Sequence, residues 1–145
     1  MAMSDDLNSS ILDCLIPGDE SGWPAAGQHG LTFRFLQLLE ILSNEGVQQL
    51  ATVTENLPKD FCTLSKDSQT TSLSTVEKEQ PAAFQAVLKA AYSAYYTDQT
   101  VRQILETKTG YEARPPQPQG YELQSFDETL LEPVRAKGPI WREAP

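Results

Sequence analysis

The residues that could do chemistry gather in one loop. Segment 16–30, IPGDESGWPAAGQHG, holds Asp19, Glu20 and the single histidine, His29, among four glycines and two prolines. Two carboxylates and an imidazole could bind a metal ion or transfer protons. Their spacing fits no known ligand pattern. We therefore favour the interpretation that the acids are solvated and that His29 is a loop histidine whose hydrogen bonds are satisfied.

The known catalytic and cofactor-binding motifs are absent from the sequence. It contains no nucleophile elbow, no P-loop, no dinucleotide fingerprint and no HExxH motif. A Ser/His/Asp or Cys/His arrangement would have to use His29. Cys14 and Cys62 make neither a disulfide framework nor a metal site. They form either one bridge or, the interpretation we favour, two reduced and mostly buried thiols. The sequence predicts no catalytic residue and no metal site.

Two consecutive helices over residues 80–110 are the elements most strongly predicted. Apolar residues recur there with the helical period. Pro81 suits a first helical turn, and Gly110 suits the position just after a helix end. Thr97 is predicted to cap the second helix, with Asp98 in its first turn, so that the joint between the helices falls at 96–98.

Three tyrosines precede this joint. Tyr92 and Tyr95 share the apolar face of the first helix and are predicted to lie in the core. Tyr96 falls off that face and is the better candidate for a contact with a partner, because exposed tyrosines favour interfaces.

The other elements are also helical. Residues 1–6 are predicted to be disordered, and a short helix must end before Pro17. Further helices are predicted over 31–42, over 47–57 and over 66–79, the last capped by Ser65. No strand pattern occurs. The predicted fold is all-α, a small helical bundle of about five to six helices, with a helical domain over 7–111 and an extended arm over 112–145.

The arm is rich in proline and aromatic residues. PPQP at 115–118 favours the polyproline II conformation, and FDETLLEPVRAK predicts a helix that is short or kinked at Pro133. Large aromatic side chains recur along the arm, so it either wraps its own helical body or lies on a partner. These aromatics are Tyr111, Tyr121, Phe126 and Trp141.

Charge and hydropathy exclude some partners. The net charge is −9, and residues 1–60 carry nine acids against two bases. A protein that binds nucleic acids or anionic membranes needs basic patches on its surface, so neither is an expected partner. No apolar run is long enough to span a bilayer, so no membrane insertion is predicted. The N-terminus, MAMSDDLNSS, has no signal-peptide pattern. We expect a cytoplasmic protein, or a periplasmic one only if a partner carries it out.

The order of short motifs resembles that of a known family. LDCLIPGDE, WPAAG, LPKDFCTLS, a helix ending in YYTD and then GYE are similar, over about residues 7–111, to the gluconate 2-dehydrogenase subunit 3 family. The twin-arginine signal and the GGN stretch usual in that family are absent, and the tail from Arg114 lies outside the match. The matching positions are Leu12, Leu15, Ile16, Pro17, Asp19, Pro24, Ala25, Phe61, Leu64, Tyr95, Tyr96, Thr97, Asp98, Gly110 and Tyr111.

The resemblance implies a function. Members are small subunits that accompany larger flavin-dependent sugar or alcohol dehydrogenases. It implies a non-catalytic accessory subunit in a hetero-oligomer, with FAD held by the larger oxidoreductase subunit and no cofactor bound by this chain. The expected partner-binding residues are Trp23, Tyr96, Tyr111, Tyr121, Phe126 and Trp141.

Two alternatives remain open at the level of the sequence. One is a stand-alone small-ligand protein or enzyme, with Asp19, Glu20, His29 and the tyrosines around one pocket. The other is a self-associating structural protein whose arm is exchanged between copies.

Overall fold

The computed structural model describes residues 2–111 and 125–138, with side chains from residue 6 onward. The chain divides into two units, residues 1–113 and residues 114–145. Within both described ranges the regular structure is helical and no strand occurs, so the predicted all-α class is confirmed.

The first unit is a small helical bundle. A 3₁₀ turn, Phe61–Thr63, separates its third and fourth helices. The helices are α1 (Ala2–Leu15), α2 (Thr32–Leu42), α3 (Gly46–Glu55), α4 (Lys66–Glu79), α5 (Pro81–Thr97) and α6 (Gln99–Thr109).

In the second unit, a 3₁₀ turn, Glu128–Leu131, leads into the single turn of α7, Glu132–Arg135. Pro133 lies in the first turn of α7, where a missing backbone N–H leaves no hydrogen bond unmade. The prediction of a short helix here is confirmed. The Asp127 carboxylate accepts from the backbone N–H of Thr129 at 3.0 Å and so caps the turn.

Helix α5 is the centre of the bundle and packs most extensively on α2 and α3. Four alanines lie on its buried face beside Phe84, Val87 and Tyr95. Small side chains let neighbouring helices approach closely, and large side chains from those helices fill the remaining volume. The largest fully buried side chains include Ile11, Leu12, Phe35, Leu39 and Phe61.

Local signals predicted several helix ends correctly. Ser65 accepts a hydrogen bond from the backbone N–H of Ser68 and begins α4 where predicted. Pro81 opens α5. Gly110 follows α6 in the left-handed conformation, with φ of 71°, which glycine adopts without a steric penalty.

Other local predictions were wrong. Thr97 is the last residue of α5 rather than the cap of α6; Asp98 is the cap. Helix α1 begins at Ala2, so residues 2–6, predicted to be disordered, are helical. Once packing holds the middle of a helix, adding further residues at its end is easy.

Exposure corrects three further expectations. Tyr92, predicted to be core, is 42% exposed, and Val47, placed on the apolar face of α3, is 59% exposed. On α5 the alanines occupy the arc that faces the bundle, and a residue turns by about 100° from the one before it. Tyr92 therefore falls outside that arc. Both cysteines are free, as favoured, but Cys14 is half-buried and Cys62 is exposed.

Candidate functional site

The loop of residues 16–30, called the Trp23 loop below, lies on helix α1. The buried Asp13 carboxylate on α1 accepts from two backbone N–H groups of the loop, Gly27 at 2.7 Å and Gln28 at 3.0 Å. Gly27 lies so close to α1 that an added Cβ would be 2.0 Å from the Ser9 carbonyl oxygen. The absence of a side chain at position 27 therefore sets how closely the loop approaches the helix.

The same loop is tied to the α5–α6 joint, residues 95–99. The Tyr95 hydroxyl donates to the Pro24 carbonyl oxygen at 2.9 Å. His29 Nε2 lies 2.9 Å from Asp98 Oδ1. These contacts join residues 71 and 69 positions apart in the chain. The loop is held on one side by α1 and on the other by the joint.

A third contact lies at the far end of α6. The Lys108 ammonium donates to the carbonyl oxygen of Ser21. Lys108 is in the last turn of α6, where a cation is also favoured by the helix dipole. The loop is thus contacted at both ends of α6.

Asp19 shapes the interior of the loop. Its carboxylate accepts from the Ser21 hydroxyl at 2.7 and 2.8 Å and from the Trp23 backbone N–H at 3.0 Å. The hydrogen bond from the Ser21 side chain, followed by that from Trp23, lowers the pKa of Asp19 below its usual range. Asp19 therefore acts as an ionised acceptor that turns the loop.

The three residues first considered for chemistry do not form one acid–imidazole cluster. His29 pairs with Asp98, Asp19 bonds within the loop, and Glu20 is exposed at the loop surface. The interpretation of His29 as a hydrogen-bonded loop histidine agrees with this geometry. Among residues 6–111 and 125–138, no three His, Cys, Asp or Glu side chains are close enough to hold a metal ion.

An open groove of about 650 Å³ runs along the loop. The half-buried Trp23 packs against the core and forms part of one wall, and Lys66 of α4 contributes a cation. Asp19 and Glu20 add carboxylates. The remaining lining residues are Pro17, Gly18, Pro24, Ala25 and Gln28.

Asp98 carries the most interactions at the joint. Its Oδ1 atom accepts from the backbone N–H groups of Thr100 at 2.9 Å and Val101 at 3.1 Å besides contacting His29. Partial burial alone would raise the pKa of Asp98, but the hydrogen bonds from His29 and Val101 outweigh it and the pKa is lowered. Asp98 is thus both the cap of α6 and the partner of the loop histidine.

A pH dependence of stability follows from the lowered pKa of Asp98. A depressed folded-state pKa stabilises the fold fully above the unfolded value, 3.8, and this contribution is lost as the pH falls through the folded pKa. Asp98→Asn keeps an oxygen acceptor for the cap but does not titrate. We expect the stability advantage of the wild type over Asp98→Asn to shrink as the pH falls below about 3.8, measured by urea unfolding at a series of pH values. An advantage that stays constant through this acid range would contradict the assignment.

Tyr92 and Tyr96, called the tyrosine pair, form an exposed aromatic surface on α5. They are 42% and 54% exposed, and their rings stack with centroids 6.2 Å apart. The rings of Tyr95 and Tyr96 also meet edge to face, with centroids 5.3 Å apart. The sequence analysis identified Tyr96 but missed Tyr92. The spacing of four residues, which places two side chains on one stripe of a helix, was the available signal.

The other predicted contact residues have different positions. Trp23 is half-buried against the core rather than fully exposed. Tyr111 and Phe126 are 59% and 64% exposed. Tyr121 and Trp141 lie outside the described residues.

The sequence analysis also missed two exposed apolar side chains on α2. Phe33 and Ile41 are 73% and 71% exposed, and they lie eight residues, or about two helical turns, apart. They add to the exposed apolar surface of the first unit.

Comparison with known proteins places this chain in no family. No family model matches it, and no solved structure does. A stretch of 45 residues is 47% identical to an uncharacterized HTH-type transcriptional regulator, YdcR, of Escherichia coli (strain K12). That stretch covers 31% of this chain and 10% of the regulator, so this chain spans about a tenth of the length of the relative that it matches. Across the described residues, no helix is both long enough and apolar enough to cross a membrane.

Proposed function

We propose that this chain is a non-catalytic accessory subunit that binds and stabilises a larger, flavin-dependent oxidoreductase subunit of the sugar- or alcohol-oxidising type. The larger subunit holds the FAD. The observation that carries the proposal is the pairing of an exposed tyrosine surface with a loop held in place by buried and partly buried hydrogen bonds. The family and the cofactor come from the resemblance of the sequence.

Several residues that carry the resemblance have roles in this arrangement. Asp19 turns the Trp23 loop, Pro24 accepts from Tyr95, and Asp98 contacts His29. These positions are far apart in the chain but act on one structural feature. Residues that carry the resemblance thus hold the Trp23 loop in place beside the tyrosine pair, which supports a binding role.

A surface that is shaped before binding favours association. Ordering a loop or a side chain on binding costs free energy, and contacts that already exist in the free protein reduce this cost. The Trp23 loop is fixed through Asp13 on one side and through Tyr95 and Asp98 on the other. Exposed tyrosine and tryptophan are enriched where partners bind.

Capture from the native host tests this function. The chain with an affinity tag at its N-terminus is expected to retain a larger subunit whose absorbance spectrum shows flavin. Tyr96→Ala is expected to reduce the amount retained at least about tenfold if Tyr96 lies at the centre of the interface. Tyr96 is exposed, so this variant should fold.

Glu77→Ala is the matched control, because Glu77 is an exposed residue of α4. It should leave the captured amount unchanged. A chain recovered alone, without flavin absorbance, would overturn the proposed function.

The similarity to a transcriptional regulator does not lead us to propose DNA binding. DNA-binding surfaces collect lysine and arginine, whereas this chain has a net charge of −9. The small-ligand and self-association alternatives stay predictions. For the small-ligand alternative, the groove beside Trp23 brings Asp19 and Glu20 together, but His29 and the tyrosines are not among its lining residues.

A further inference from the structure

The groove beside the Trp23 loop has walls that are already formed. Its volume of about 650 Å³ lies within the range of about 300–1,000 Å³ that is usual for small-molecule sites. The loop backbone is folded tightly, since the Asp19 N–H donates to the Trp23 carbonyl oxygen at 3.0 Å and a Cβ added at Gly18 would lie 2.8 Å from the Ala25 nitrogen. A ligand could therefore bind without first ordering this part of the loop.

Apolar side chains supply much of the groove surface. Trp23 packs against the core and leaves part of its ring system accessible, and Pro17, Pro24 and Ala25 line the groove beside it. Covering such surface with an apolar side chain removes both surfaces from water, which is favourable. The groove can thus hold an apolar group next to its charged residues.

Two opposite charges in the groove have no partner. Lys66, at the start of α4, and Glu20, in the loop, both line the groove and both are exposed. Within the part of the chain that the structure describes, neither side chain makes a hydrogen bond or an ion pair. The Lys66 ammonium and the Glu20 carboxylate are therefore more than 4.0 Å apart and do not neutralise each other.

The other charged groups close to the groove are engaged. Both carboxylate oxygens of Asp19 accept from the Ser21 hydroxyl, and one also accepts from the Trp23 N–H. Lys108 donates to the Ser21 carbonyl oxygen and is not among the lining residues. The groove therefore offers a ligand one ammonium and one carboxylate.

We propose that this groove binds a free α-amino acid with a large apolar side chain. The α-carboxylate pairs with Lys66, the α-ammonium pairs with Glu20, and the apolar side chain lies against Trp23. In an amino acid the two charged groups are attached to one carbon atom, so a single molecule can bridge two protein charges that are too far apart to pair with each other. The site is separate from the tyrosine pair and does not depend on the proposed function.

A ligand with a single charge fits this groove less well. An anion would be attracted by Lys66 and repelled by Glu20, and a cation would meet the reverse. A neutral apolar molecule would contact Trp23 but gain nothing from either charge. A zwitterion is attracted by both charged groups.

Three probes that share one side chain test the inference on the full chain. L-Phenylalanine carries both charges, its amide lacks the carboxylate, and N-acetyl-L-phenylalanine lacks the ammonium. Each is titrated against the isotope-labelled chain, and the indole N–H signal of Trp23 is followed by NMR; Trp141→Phe assigns this signal, since the chain has two tryptophans. We expect L-phenylalanine to bind with a Kd on the order of 1 mM and each derivative to bind about two- to fivefold more weakly.

Two substitutions assign each charge of the ligand to a residue. Lys66→Gln should weaken binding of L-phenylalanine about two- to fivefold and remove its preference over the amide, whereas Glu20→Gln should remove its preference over the N-acetyl derivative. Both residues are exposed and make no hydrogen bond within the described chain, so both variants should fold. Lys78→Gln is the matched control, because Lys78 is an exposed lysine in the last turn of α4, and it should bind as the wild type does.

Three results would each overturn the inference. They are a Trp23 signal that does not shift at concentrations about twentyfold above the expected Kd, a derivative that binds as tightly as L-phenylalanine, and full affinity in either the Lys66 or the Glu20 variant. These outcomes are separate from those of the capture experiment. Capture of a flavin-bearing subunit by a chain that binds no amino acid would support the proposed function and reject this site, and the opposite pair of results would do the reverse.

Discussion

An Asp13→Ala variant is expected to lose about 2–4 kcal/mol of unfolding free energy, because two loop N–H groups lose their acceptor. The Asp13 carboxylate is only 9% exposed and accepts from Gly27 and Gln28 at 2.7 and 3.0 Å. With alanine at position 13, these N–H groups stay close to α1 without a partner, or the loop moves away from the helix. Urea unfolding followed by circular dichroism measures the loss.

Asp13→Asn is the matched control. Its amide oxygen can occupy the position of the accepting carboxylate oxygen and receive both N–H groups, so it should retain more than half of the stability that alanine loses. If the free energy of unfolding of the alanine variant is within about 0.5 kcal/mol of that of the wild type, the loop is not held by this contact.

The loss should also reach the tyrosine pair. The loop that Asp13 holds is the one to which Tyr95 donates through Pro24. A loop released from α1 removes part of the support of the Tyr95 ring and therefore of Tyr96. If the proposed function holds, Asp13→Ala should reduce capture of the larger subunit under conditions where the variant is still folded.

Gly27→Ala is expected to destabilise the protein by about 3 kcal/mol, the upper range for forcing extra atoms into a packed site. The added Cβ would lie 2.0 Å from the Ser9 carbonyl oxygen and 2.6 Å from the Ser9 hydroxyl. Rotating the Ser9 side chain about its Cα–Cβ bond can relieve the second contact, but the first contact is with a backbone atom. The loop and α1 must therefore separate, which also lengthens the bond from Gly27 to Asp13.

Gln28→Ala is the control for this prediction. Its side chain is exposed, and alanine keeps the backbone N–H that donates to Asp13, so its stability should stay within about 0.5 kcal/mol of the wild type. Gly27→Ala with unchanged urea unfolding would mean that the loop approaches α1 less closely than the structure shows.

The two substitutions should not be additive. Asp13→Ala and Gly27→Ala disrupt the same contact, and residues that share a contact couple in a double-mutant cycle. We expect the double variant to lose less stability than the sum of the two single losses. Additive losses would show that the two residues act on separate parts of the loop.

Much of the fold could be predicted because its signals are local. The period of apolar residues, the cap at Ser65, the first-turn proline at 81 and the glycine at 110 depend on neighbours within one or two helical turns. Helix α4 was therefore predicted with both ends correct. The cap of α6 was misplaced by one residue, because Thr97 and Asp98 are both good caps and only the backbone conformation distinguishes them.

The candidate site was harder to predict because its contacts are distant in sequence. His29 was correctly interpreted as a hydrogen-bonded histidine, but its partner, 69 residues away, was not predicted. Asp13 was not predicted to hold a loop, since a single acid within a helix carries no sign of which backbone groups will approach it.

The sequence by itself determined most of the helices, the cap of α4 and the absence of a recognised catalytic motif, since each depends on residue types and short spacings. The tertiary structure decided which side chains are exposed and which hold the Trp23 loop in place. Packing of the alanines of α5 against α2 and α3 left Tyr92 exposed beside Tyr96. The same packing brought Pro24 to Tyr95 and His29 to Asp98. Such pairings depend on how whole helices fit together, and no local pattern of residues encodes them.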